Sequence, residues 1–242
     1  MNPWIAAPML AFAGLALNEI ANPRFAFLGR VFHRGNPQGV ALTFDDGPHP
    51  RTTAQILTIL DRFQAKATFF VIGRHLRRSG ALIGEASGAG HVIGNHSYSH
   101  LRWMSFLSAG RIRDEILRCQ DEVERWIHYR PRFYRQPAGF RNPVLFSILR
   151  ELGMSLVGWQ VRAFDSQVKD PRTIARRILR KIQPGGVILL HDGGDSEKND
   201  DRQATLQALP VILQGIQAQG LAFYTLEELF GLSREVPPAC CG

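Results

Sequence analysis

Two adjacent carboxylates, Asp45 and Asp46, close an apolar run in the stretch LTFDDGPHP at residues 42–50, with Gly47, Pro48 and Pro50 around and behind them. Asp, Gly and Pro are turn formers, so a solvated turn is the plain reading of this stretch alone. Like charges side by side repel, however, and burying either acid without a partner is costly. A second group of candidates lies in GNHSYSH at residues 94–100. One histidine near a strand end is commonly a hydrogen-bonded structural residue. Two of them, His96 and His100, spaced by four in a helical turn, present their imidazoles on one face, which suits chelation of a divalent ion. Asp46 can supply the third ligand, and the ion then neutralises the charge that makes the acid pair expensive. Other polar groups end other apolar runs: Arg135 before Gln136–Gly139, Asp165 after Met154–Trp159, and His191 with Asp192 in VILLHD at residues 187–192.

Something must bring these scattered groups together. From residue 39 short apolar runs recur at Val40–Phe44, Ala67–Ile72, His91–Gly94, Arg132–Arg135, Met154–Trp159, Gly186–Leu190 and Leu221–Tyr224. Between most of them the apolar spacing predicts helices over Thr53–Phe63, Ser108–Ile127, Pro143–Leu152, Pro171–Ile182 and Arg202–Gln217. This alternation implies parallel strands joined by crossover helices. About seven such units in roughly two hundred residues describe a barrel smaller than the eightfold one, whose functional groups sit at C-terminal strand ends. Five strand ends would then face one mouth, and every candidate above falls at one of them.

The chain has 242 residues, 45% hydrophobic and 21% charged, a globular composition that can bury one large core or two small ones. No linker rich in Pro, Gly or Ser divides residues 39–230, which read as one domain between an N-terminal segment at 1–38 and a tail at 231–242. The net charge of +8 and isoelectric point near 10.0 favour an anionic neighbourhood. The basic residues, such as Arg74, Arg77, Arg78, Arg176, Arg177, Arg180 and Lys181, lie in helical patterns without interleaved aromatics. They read as solvated faces and not as a nucleic-acid footprint. Three cysteines cannot form a disulfide framework. Cys119 shares a helical face with Ile112, Ile116, Val123 and Trp126 and reads as core, while Cys240 and Cys241 lie in the tail. Asn2–Asn18 is uncharged and strongly apolar, near the lower length for a membrane span, and either associates with a membrane or forms a core helix; a basic link with Arg24, Arg30 and Arg34 follows.

With its motifs in order, TFDDGP, HSYSH, RQPAG, the WQVRAFD region and LLH, the chain resembles the polysaccharide deacetylases of the NodB-homology type, carbohydrate esterase family four, over nearly all of residues 39–230. The resemblance implies a distorted (β/α)7 barrel and one divalent ion, usually zinc, with cobalt, nickel or manganese also compatible with the donor set. It also implies removal of acetyl groups from N-acetylated sugars. Carried over by position, Asp46, His96 and His100 hold the ion and Asp45 is the general base. Arg135 holds Asp45, the Ala138 backbone N–H receives the oxyanion, His191 is the general acid, Asp165 tunes it, and Leu189 lines a pocket for the acetyl methyl. This division of labour agrees with the chemistry, since one carboxylate must bind the ion while its neighbour stays free to take a proton.

Three positions depart from the family pattern. Ala138 stands where an aromatic is usual, Arg162 replaces the first acid of the fourth motif, and Ser166 replaces its Trp. These leave the hydrolytic set intact and bear on the substrate. A serine nucleophile is disfavoured because no Gly-x-Ser-x-Gly turn occurs. A glycosidase is disfavoured because adjacent strand residues point to opposite sides and the histidines would have no role. The expected partner is an N-acetylated glycan of the cell envelope, or a glycolipid at an anionic membrane, and a non-catalytic sugar-binding protein is the third reading.

Overall fold

The computed structural model describes residues 30–139, 143–194 and 202–232. Its centre is strand β1 (Gly39–Gly47), buried along its whole length. After helix α1 (Thr52–Arg62) comes β2 (Ala67–Val71), then α2 (Leu76–Gly88), β3 (Val92–Asn95), α3 (Ala109–Ile127), β4 (Phe133–Tyr134), α4 (Pro143–Glu151) and β5 (Ser155–Leu156). The chain continues with β6 (Val161–Arg162), α5 (Pro171–Lys181), β7 (Val187–His191), α6 (Gln203–Ala218), β8 (Ala222–Phe223) and the short α7 (Leu226–Phe230). All strand pairings are parallel, in the order β5-β4-β3-β2-β1-β7-β6, with β8 paired to the start of β1.

The sheet curls into the distorted barrel without closing between β5 and β6 among the described residues. Residues 32–35 run along that opening: Phe32 N–H donates to Leu156 O, Gly158 N–H to Phe32 O, and Gly35 N–H to Gly185 O. Along β1 and β7 the side chains alternate as a strand requires. Leu42, Phe44, Ile188 and Leu190 pack under the helices with Ile56, Leu60, Ile212 and Leu213, while Thr43, Asp45, Leu189 and His191 face the concave side.

The expected helices appear with ends displaced by about one residue, the usual latitude of helix termini. Besides the short α7, one helix, α2, has no counterpart among the expectations. Its Gly80, Gly84 and Gly88 blur the helical pattern and Ser79 leaves helical geometry at φ −138°. Gly80 is required there because a Cβ would strike the Trp126 indole. That contact explains a second difference: Trp126 is 40% exposed and lies across α2, and Ile127 takes its place on the buried face with Cys119. The Met154–Trp159 run shortens to β5, and a separate strand, β6, delivers Asp165. No helix of the described residues is long and apolar enough to cross a membrane; the apolar segment 1–18 and the Cys240–Cys241 pair lie outside them.

Candidate active site

β1 ends in a distortion that decides the geometry. Its register with β2 shifts between Asp45 and Gly47, and Asp46 adopts φ +73°, a left-handed conformation in which a side chain other than glycine is strained. The bulge re-aims Asp46, so both carboxylates reach the same cleft. His96 Nε2 lies 3.8 Å from Asp45 Oδ2 and 3.4 Å from Asp46 Oδ1. The alternation expected of adjacent strand residues therefore fails here, for the reason bulges are known to re-aim side chains.

The histidine pair is also held differently from expectation. Residues 96–100 form no helical turn; Ser97 and His100 take φ +66° and +54° in a loop after β3. Short side chains pin that loop: Asn95 Oδ1 accepts from Ser97 N–H at 2.9 Å, and Ser97 Oγ from His100 N–H at 3.1 Å. Buried Glu115 on α3 receives Ser99 N–H at 2.7 Å and Ser99 Oγ at 2.9 Å. The imidazoles still converge, with ring centroids 4.9 Å apart.

A cation fits this group. His96 Nδ1 lies 2.7 Å from the Arg135 carbonyl, which can only accept, so Nδ1 carries the proton and Nε2 presents its lone pair to the cleft. His100 Nε2 is 3.1 Å from Asp46 Oδ1, an oxygen that is buried without a well-formed hydrogen bond. One ligand atom from each of Asp46, His96 and His100 lies within 4.8 Å of the others. Two imidazole nitrogens and one carboxylate oxygen suit zinc and its neighbours in the first transition row. Burial works against the charge on Asp46, but His96, His191 and His100 outweigh it and hold the acid well below the usual carboxylate range.

Asp45 is locked by the most buried cation described. The Arg135 guanidinium, 1% exposed, donates from Nη1 to Asp45 Oδ1 and to Thr43 Oγ1, each at 2.7 Å, and from Nη2 to Gly158 O at 2.8 Å. The Phe70 ring lies 4.1 Å beneath it. Losing one partner of such a pair leaves the other charge buried, at about 3–5 kcal/mol.

Across the β1–β7 ladder Asp45 pairs with His191. Asp165 grips His191 twice, through Oδ1 at 2.9 Å from the ring Nδ1 and Oδ2 at 2.9 Å from the backbone N–H; Thr205 adds a hydroxyl to Oδ2 at 3.0 Å. Nδ1–H is thereby committed, and Nε2 is the atom left to gain or lose a proton. Burial pulls the His191 pKa down, but Asp165 above all, with Asp46 and Asp45, outweighs it and raises it to about 9.

Leu189 lies two residues earlier on the concave face of β7 and is 5% exposed. Ala138 sits in a tight turn after β4, Pro137–Gly139, exposed and at φ +57°. Cys119 is fully buried, and burial pushes its thiol up to about 12, which agrees with a core role.

One functional candidate had no assigned role from sequence. Asp192, 1% exposed, lies behind the acid pair, its backbone N–H donating to Asp45 O at 3.1 Å and its Oδ2 accepting from Thr53 Oγ1 at 2.6 Å. Any Cβ at Gly47 would collide with its carboxyl group, so the glycine after the acid pair exists to admit it. Burial, reinforced by Asp46 and Asp45 and opposed by the Thr53 hydroxyl, raises its pKa to about 7. Its position directly after His191, in an otherwise apolar strand end, was the available signal.

Comparison with known proteins agrees with this fold. Residues 33–157 match a family described as Polysaccharide deacetylase. The chain is 35% identical over 202 residues to a peptidoglycan-N-acetylglucosamine deacetylase of Bacillus cereus, covering 80% of this chain and 89% of that one. The crystal structure of the Bc1960 peptidoglycan N-acetylglucosamine deacetylase superposes with a TM-score of 0.78 at 32% identity, covering 84% of this chain and 94% of that one. A CE4 family pseudoenzyme from Bacillus anthracis superposes at 0.73 with 29% identity, covering 81% of this chain and 67% of that one.

Proposed function

The chain belongs to the polysaccharide deacetylase family, and from that premise we propose that it removes N-acetyl groups from N-acetylhexosamine units of a cell-envelope glycan, peptidoglycan first among them, by metal-assisted hydrolysis. One observation carries the reading: Asp46, His96 and His100 converge beside an Arg135-held Asp45 and an Asp165-held His191 in a single cleft. A pseudoenzyme on the same fold means that architecture alone does not carry activity, so the reading rests on this complete set of residues.

Asp46, His96 and His100 would hold the ion, which when bound polarises the acetamide carbonyl and makes water acidic enough to attack near neutral pH. Asp45 takes the proton of the attacking water, its orientation set by Arg135. The developing oxyanion is met by the Ala138 N–H, and the acetyl methyl by Leu189. His191, whose imidazolium form Asp165 favours through its paired contacts, delivers a proton from Nε2 to the departing nitrogen. An amine is a feasible leaving group only when that proton arrives. Asp165 keeps the imidazole in the tautomer and orientation this requires.

Acetate release from peptidoglycan and from N-acetylglucosamine oligomers, measured on protein stripped of metal and then reloaded with zinc or cobalt, tests the reading. Metal-dependent release is expected. Release that persists unchanged after stripping, or none from any glycan with the ion bound, overturns it.

A further inference from the structure

The fourth-motif departures converge on one surface feature. Val161 and Ala163 pack on the helix side of the sheet with Ile174 and Ile178, so Arg162 between them takes the concave side of β6. Its ladder partner is Leu189, two residues before His191. The exposed guanidinium lies 4.1 Å above the Phe164 ring and 5.6 Å from the Trp159 ring. Phe164 is itself 40% exposed and held at φ +59°, and Trp159 packs against Gly139, where a Cβ would meet the indole at 2.7 Å. An aromatic wall thus runs from the Ala138–Gly139 turn to the His191–Asp165 pair, with Arg162 at its middle.

That cation has no acidic partner among the described residues. The closest acid in sequence, Asp165, spends both oxygens on His191 and Thr205. The neighbouring Arg177, 5.9 Å from the same Phe164 ring and bonded to Ala163 O at 2.9 Å, adds positive charge. Rings cover the guanidinium face and leave its N–H edge open, the arrangement that recognises a planar or tetrahedral oxyanion through paired hydrogen bonds.

We propose that Arg162 is a specificity-determining residue that binds an oxyanion, carboxylate or phosphate, carried by the glycan beside the N-acetyl group to be removed. This deepens the deacetylase reading and rests on it. The cleft then favours acidic N-acetylated glycans over neutral chitin-like ones, and the strongly basic chain as a whole draws the same polymers towards it.

The test compares kcat/KM on three substrates of equal length: an N-acetylglucosamine tetramer, the tetramer with an O-lactyl carboxylate on one ring, and the tetramer with a terminal phosphate. Wild-type protein should prefer at least one acidic substrate by about tenfold, and the preferred one identifies the anion. Arg162→Gln should erase the preference, and Arg162→Lys should keep only part of it, because an ammonium offers neither the stacking plane nor the fork. Raising the salt concentration should shrink the wild-type preference and leave the Gln variant unchanged. Equal turnover of all three by wild type, or one common factor lost on all three in Arg162→Gln, overturns the proposal while the deacetylase reading stands. Acetate release from none of them overturns both.

Discussion

The floor of the cleft and its rim are held by different forces. On the floor Asp45, Asp46, His96 and Arg135 are at most 9% exposed, and each is tied by charge to at least one of the others. At the rim Phe164 is 40% exposed, Ala138 is exposed, and Arg162 is held, among the described residues, by ring contacts. A buried charged network is intolerant, since removing any member strands another. Exposed cation–ring contacts are each worth only about 0.5–1 kcal/mol and can be exchanged with little cost to folding. The departures from the family pattern, Ala138, Arg162 and Ser166, fall on or beside the rim and none on the floor. In the proposed reading the hydrolytic chemistry is therefore rigidly specified, and substrate choice is the adjustable part.

Asp45→Asn probes the floor most directly. The amide oxygen still accepts from Arg135 and the ion's three ligands are untouched, so bound metal should stay near one per chain while kcat falls about 10³-fold or more. Metal content and turnover falling together would show that Asp45 is a ligand and that its division of labour with Asp46 is wrong. Next in size is His191→Ala, expected to slow acetamide hydrolysis about 10²-fold yet slow an activated acetyl ester less than tenfold, because only the amine needs a proton to leave. Equal losses on both substrates would remove His191 from the acid role and leave it as a structural partner of Asp165.

Asp192 lies between the two regions in kind: buried like the floor, but outside the proposed chemistry. Its folded pKa of about 7 stands above an ordinary carboxyl value near 3.9, so the folded protein binds the extra proton between these limits. Its contribution is complete below about pH 4 and is lost as pH rises towards 7, at up to about 1.4 kcal/mol per pH unit. Asp192→Asn, a neutral mimic of the protonated acid, should lack this dependence. Urea denaturation of chelator-treated protein should show the variant gaining on wild type from pH 4.5 to pH 7. Parallel stability curves would mean Asp192 stays ionised in the fold.

Much of this was legible in the chain. The strand–helix alternation places five strand ends at one mouth, and the polar side chains singled out at those ends converge there, because metal ligation and proton transfer restrict the candidates to few side chains. What escaped has physical causes. The Asp46 bulge and the left-handed Ser97 and His100 leave no periodic trace, and the loop that carries the histidines is held partly by its own short side chains and partly by buried Glu115 on another element. Helix α2 is hidden because close packing against Trp126 demands glycine where a helix pattern expects bulk. The role of Asp192 depends on contacts with Gly47 and Thr53, and Thr53 is 139 residues away in the chain. Local periodicity reveals elements; the tuning of a site depends on distant pairs.

The smallest effect sharpens the comparison most, because it tests the rim without touching a charge. Phe164→Leu keeps an apolar side chain of similar bulk at the same strained φ of +59° but removes the ring quadrupole beneath Arg162. Losing about 0.5–1 kcal/mol of cation–ring attraction corresponds to a two- to fivefold fall in the preference for acidic over neutral tetramer. Because Phe164 is largely solvated on one side, the melting temperature should move little. A tenfold or greater fall in kcat on the neutral tetramer would break the distinction between regions: Phe164 precedes Asp165, and such a loss would mean that rim packing sets the His191–Asp165 geometry. A change confined to the acidic-to-neutral ratio would instead place the boundary between chemistry and specificity within one peptide unit, between residues 164 and 165.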